Sequence, residues 1–203
     1  MKKGFTLLEL LIVIGILAIL STTMLLVINP AEMLRKARDS QRISDLNNLK
    51  SAISLYLTDV ANPSFGSSTY VYISNGITPS PTTVATSCGP SGITNVSTTT
   101  SQAINGSGWI PISFASISGG SPISAEPVDP NPSANSPSYR FYLYIPSTST
   151  NTFELMANME SVYYSTGTTS VEASDGGSMP NVYEIGTQLF TPTNTSTCYG
   201  GGA

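Results

Sequence analysis

From Phe5 to Ile28 the chain is overwhelmingly apolar, holds one ionisable side chain, Glu9, and is then broken by Asn29-Pro30. An α-helix rises about 1.5 Å per residue, so this run reaches roughly 36 Å, enough to cross a hydrocarbon core of roughly 30 Å. The rest of the chain has to fold beside a segment that seeks lipid or other helices. A secretory signal peptide has a shorter apolar region, roughly 7 to 15 residues, with small residues at its cut site. Here the run is followed by Asn29-Pro30 and a charged helical stretch, so the helix is expected to stay in the mature protein. Glu9 is the costly residue, because a carboxylate at the centre of a spanning helix is unfavourable by about 2.5 to 3.5 kcal/mol. Taken by itself, it is a glutamate near the helix start that snorkels to the head groups or is protonated.

The stretch Met1-Lys2-Lys3-Gly4-Phe5-Thr6-Leu7-Leu8-Glu9, leading into an unbroken apolar helix, resembles the amino-terminal signature of type IV pilins and of the pseudopilins of type II secretion. The resemblance implies that a membrane prepilin peptidase cuts between Gly4 and Phe5 and methylates the new amino terminus at Phe5. It also implies a role for Glu9, whose carboxylate neutralises the free amine of a neighbouring subunit as the helices stack into a filament. The physics agrees, since a cation and an anion that are each expensive in low dielectric are both relieved by meeting. An ordinary signal anchor is the alternative reading of the segment.

The resulting map is a leader at 1–4, a transmembrane and filament-core helix at 5–29, an amphipathic helix at 30–60 and an extracellular β-rich domain at 61–203. The fold class is α+β, a long amino-terminal helix packed on a small antiparallel sheet with long loops, as in pilins. Proline removes a donor and disfavours helical geometry in the residue before it, so Asn29-Pro30 marks a kink or a fresh start with Asn29 as cap. Beyond it Leu46, Leu49, Ile53, Tyr56 and Val60 form one apolar stripe that should cover the sheet. Arg35, Asp39, Arg42, Asp45 and Lys50 are expected around that stripe, either as contacts between subunits or as a solvated face. Asn62-Pro63 ends the helix.

Thr69-Tyr70-Val71-Tyr72-Ile73 reads as a short strand, and the Ser-, Thr-, Gly- and Pro-rich stretch from Thr78 to Thr100 as a long surface loop. Tyr139–Ile145 and Phe153–Glu160 read as an antiparallel pair joined by the turn at 147–152, with the first alternating between core and surface. The proline-aspartate-proline loop at 127–130, this aromatic strand and the strand ending in Met159-Glu160 resemble, more loosely, the globular part of the major pseudopilin and related short pilins. Cys88 and Cys198 are the only cysteines. On the outer side of a membrane an even pair points to one disulfide, the alternative being two free thiols. Asn95, Asn105 and Asn194 head N-glycosylation patterns, short enough to arise by chance in so Ser- and Thr-rich a chain, and O-linked sugars are as plausible.

Charged residues are only 10% of the 203 and the net charge is -4. Beyond Lys50 the single basic residue is Arg140, so no Lys/Arg cluster for nucleic acid exists there and none is expected as a partner. The chain has no histidine, which removes Ser-His-Asp and Cys-His catalysis, and neither G-x-S-x-G nor G-x-x-x-x-G-K occurs. Glu154 and Glu160 are a carboxylate pair without a supporting motif, so no enzyme is expected. No cofactor is expected either, except that the resemblance admits calcium in the carboxy-terminal loops, with Glu172, Asp175 and Asp129 as candidate oxygen ligands. There is no EF-hand spacing, and acidic residues in an exposed turn are the alternative.

The expected function is a structural subunit of a type IV pilus-like filament. It sits in the membrane as a single-pass prepilin with its amino terminus cytoplasmic, and then moves to an extracellular homo-oligomeric filament through an assembly platform and ATPase. Arg35, Lys36, Arg38 and Arg42 beyond the apolar helix would by count favour the reverse orientation, and the cleavage signature decides against them. A minor pilin or pseudopilin with a binding role in adhesion or secretion, and a membrane-anchored surface protein that never polymerises, are the alternatives.

Overall fold

The structure is a computed structural model that describes residues 4–76, 86–133, 139–166, 170–193 and 198. Lys2 and Lys3, positions 78–85 of the polar stretch and the Asn194 glycosylation pattern lie outside the described residues. Helix α1 runs Leu7–Ile28 and helix α2 Pro30–Asp59. Asn29 separates them in the left-handed region (φ 43°, ψ 73°) and caps α2, its side chain accepting from the Glu32 amide at 3.4 Å. Asn tolerates that region better than most residues, and Pro30 at the first helical position has no amide to leave unpaired. At the far end the Val60 amide bonds the Tyr56 carbonyl and the chain leaves the helix before Asn62-Pro63.

Five strands, β1 (Tyr70–Ile73), β2 (Asn95–Thr98), β3 (Leu143–Ser147), β4 (Thr152–Ala157) and β5 (Tyr183–Gly186), form one sheet in the order β2-β1-β3-β4-β5. All pairings are antiparallel except β1 with β2. The hairpin β3–β4 turns at Asn151, which has φ 52°. Short helix α3 (Val162–Ser165) follows β4 and packs on the first turns of α2. The fold is thus α+β and pilin-like, with a mostly antiparallel sheet.

The α2 stripe packs on one face of the sheet: Leu46, Leu49, Ile53 and Tyr56 meet Tyr72, Tyr142, Tyr144, Phe153 and Leu155. Burial of each aliphatic side chain stabilises by about 2 kcal/mol. Val60 is partly buried at the edge of this cluster.

Three expectations need correction. Tyr139–Ile145 does not alternate between core and water: Tyr142 and Tyr144 enter the helix-side core, while Phe141, Leu143 and Ile145 enter a second core with Val71, Ile73, Met156, Met179, Val182 and Phe190. Loops cover the second sheet face, so both parities of the strand are apolar. The polar stretch before Thr100 contributes β2 to the sheet, and Cys88, bonded to Cys198, belongs to the second core. Asp39, Arg42 and Asp45 are buried within the chain, where a solvated face or a subunit contact was expected.

Candidate assembly surface

The amino-terminal end is built by a cap. Thr6 precedes α1 in extended geometry; its hydroxyl accepts from the Glu9 amide, and the Glu9 carboxylate accepts from the Thr6 amide at 2.9 Å and from the Thr6 hydroxyl at 2.8 Å. This capping box closes two donors that a helix start leaves open. It was legible as Thr6-x-x-Glu9 before an apolar run, a signal overshadowed by the charge of Glu9. Gly4 and Phe5 lie just outside it, both exposed, and a Cβ built on Gly4 meets nothing within 4 Å.

Between Leu7 and Met24 the helix has a mean hydropathy of 2.4, and none of that span is buried by the rest of the chain. Its few polar side chains are satisfied along the helix: Ser21 donates to the Leu17 carbonyl at 2.7 Å, Thr22 to that of Ala18 and Thr23 to that of Leu20, both at 2.9 Å. Such back-bonding lets hydroxyls sit in an apolar medium without other partners. α1 can therefore bury its surface only in lipid or against other helices.

The first turns of α2 are fastened to the domain by ions. Arg42, with no exposed side-chain surface, donates to both carboxylate oxygens of Asp129 at 2.8 Å and to Asp39 at 2.7 Å, and also reaches Glu160. Asp39 in turn accepts from the backbone amides of Glu160 and Ser161. Arg38 donates to Glu160 at 2.7 Å. Burial opposes the Arg42 charge, but the hydrogen bonds and attraction of Asp129 and Glu160 outweigh it and its pKa rises. Glu160, which burial alone would raise, is brought down to about 2 by Arg38 and Arg42.

The three calcium candidates do not converge on one site, although Asp175 lies near enough to Glu172 for its charge to be felt. Among the described residues no group of three or more His, Cys, Asp or Glu side chains is placed to hold a metal ion. Asp129 is clasped by Arg42; Glu172 accepts from the Met159 amide at 2.9 Å; Asp175 accepts from the amides of Gly177 and Glu184 at 2.8 and 2.6 Å. Burial, and then the nearby charges of Asp39 and Asp175, push Glu172 up to about 7 despite its amide bond. Glu154 and Glu160 also part company. Glu154 lies buried beside Glu184 and burial pushes it up to about 10, whereas Glu160 belongs to the arginine cluster. Cys88 and Cys198 are joined, with Cα atoms 4.7 Å apart.

Residues 1–25 match the family described as the Prokaryotic N-terminal methylation motif, the signature of type IV pilins and pseudopilins. No curated protein and no solved structure matches the chain. The motif points to a structural, membrane-anchored protein.

Proposed function

We propose that this chain is a prepilin-type subunit, cut between Gly4 and Phe5 and polymerised through α1 into a type IV pilus-like filament whose outer surface is the domain at 61–203. The observation that carries the reading is the pairing of a methylation motif with a spanning helix that nothing in its own chain covers. A helix held in lipid exchanges lipid contacts for helix contacts on assembly, and the gain comes from packing and from relief of buried charge. Glu9 is the residue placed for that relief. Its carboxylate sits one turn from Phe5 and, among the described residues, is bonded only locally to Thr6, so an amine from a second subunit can take over one oxygen. A Cβ built on Gly4 meets nothing within 4 Å, so the fold makes no steric demand for glycine there, in keeping with a position kept for processing.

The test is to express wild type and Glu9→Val in the native cells, shear the surface material and examine it by electron microscopy and amino-terminal mass spectrometry. Filaments built from a chain that begins at methylated Phe5, and lost in the variant, are the expected result. An intact Met1 terminus with equal membrane levels of both proteins and no filaments sinks it and leaves an anchored surface protein.

A further inference from the structure

Beyond Ile28, the large hydrophobic side chains exposed among the described residues are Met33, Leu34, Leu55, Val162 and Tyr163. Four of these five lie on α3 or on the first turns of α2, around the same end of that helix. Val162 and Tyr163 belong to α3, which packs on the start of α2, where the Tyr163 amide donates to Glu32 and Lys36 holds its ammonium 4.3 Å from the centroid of the Tyr163 ring. Met33 and Leu34 are on the same turns of α2 and are 57% and 62% exposed. The basic residues gather there too: Arg35, Lys36, Arg38, Arg42 and Arg140 are five of the six that follow the leader. Arg38, Arg42 and Arg140 face Glu160, and Arg35 approaches Glu32 at 3.7 Å, half exposed. Among the described residues the Lys36 ammonium rests against the Tyr163 ring alone.

We propose that this patch is a lipid-docking surface, which seats the folded domain on anionic head groups while α1 spans the membrane and before the subunit enters a filament. The inference rests on the membrane-inserted stage of the proposed function. Three observations carry it. The patch follows the spanning helix closely: 22 residues of α1 match the hydrocarbon core, and Met33 to Lys36 lie on the first two turns after Asn29, at most roughly 12 Å from the end of α1, the zone in which head groups meet water. A tyrosine and cations on long stems favour this interface, since each has an apolar body and a polar end, and the aliphatic side chains beside them add apolar surface to bury. The remainder of the domain offers an anionic surface nothing to bind, because beyond Lys50 its acids face the single base Arg140.

The experiment uses the full chain in bilayers of phosphatidylcholine with or without phosphatidylglycerol. Cys88 and Cys198 are joined, so a single new thiol takes a fluorophore at Val162→Cys, at Gly119→Cys beside Ser118, which bonds Asp59 at the far end of α2, or at Ala18→Cys within α1. Quenching by a head-group nitroxide lipid should reach Val162→Cys in anionic bilayers, weaken with salt, and never reach Gly119→Cys. Lys36→Gln should lower the docked-to-undocked ratio roughly fivefold. A deep Ala18→Cys probe with Val162→Cys in water in both lipids overturns the docking surface and leaves membrane insertion standing. A shallow Ala18→Cys overturns both. Quenching at Val162→Cys that follows protein density and ignores lipid charge assigns the patch to a second copy, and also overturns the inference.

Discussion

Replacing Glu126 by Gln should make the protein more stable at neutral and alkaline pH and leave it unchanged in acid. The Glu126 side chain is wholly buried; one oxygen accepts from the Ile110 amide at 2.8 Å and the other has no partner. Burial pushes its pKa up from 4.5 to about 8, although the amides of Ile110 and Trp109 pull the other way. A folded pKa above the unfolded one means that the stabilising contribution is complete below about pH 4.5 and is lost as pH rises through 8. At about 1.36 kcal/mol per unit, the loss is about 3 kcal/mol by pH 7 and about 4 by pH 8. Glutamine keeps the acceptor and cannot ionise, so it escapes the loss. The single tryptophan, Trp109, is covalently adjacent to Ile110 and is the reporter: its fluorescence during denaturant unfolding of the detergent-held chain gives stability at pH 4, 6 and 8. Curves that coincide near pH 4 and diverge by several kcal/mol at pH 8 are expected. Parallel curves across that range would refute the reasoning, because they would mean that the Glu126 charge is tolerated where it lies.

Arg42→Met should cost about 3 to 5 kcal/mol, since it strands buried Asp129 and Asp39, and Arg42→Met with Asp129→Leu should recover part of it; a double variant no better than the single would show that stranded charge is not the cause. Replacing both Cys88 and Cys198 by Ser opens a link across 110 residues and should remove up to about 4 to 5 kcal/mol by loop-closure entropy, visible as a lower unfolding midpoint that no longer responds to reductant.

What the sequence disclosed was whatever is decided within a turn or two of chain. Asn29-Pro30 and Asn62-Pro63 mark boundaries by local sterics, and the spacing of Leu46, Leu49, Ile53 and Tyr56 points one way because the helix period is fixed. The hairpin from β3 to β4 was visible for the same reason. The parallel partnership of β1 with β2 was not, because a polar run such as Asn95–Thr98 has no apolar alternation to announce it. Arg42 read as a surface charge because its partner Asp129 lies 87 positions away. The acidic residues were the least legible: Glu172 reads as a calcium ligand or a charge in an exposed turn and Glu154 as half of a carboxylate pair, yet these two, with Glu126 and Glu184, accept the backbone amides of Met159, Phe190, Ile110 and Met179 respectively. A domain with short strands leaves many loop amides unpaired, and a buried carboxyl can satisfy them without a strand partner.

These contacts divide the long helix into two halves with different physics. From Leu7 to Met24, α1 buries nothing against the rest of its own chain, so a substitution on that surface is felt only where lipid or other subunits cover it. α2 is the reverse, since its stripe and its buried ions are spent inside the chain. A force that draws α1 out of lipid must pass through Asn29 into α2, and reaches the sheet through Arg42, Asp39 and the stripe. On the proposed assembly route, the buried ions of Arg42 and Asp39 are the contacts that would carry this load into the domain.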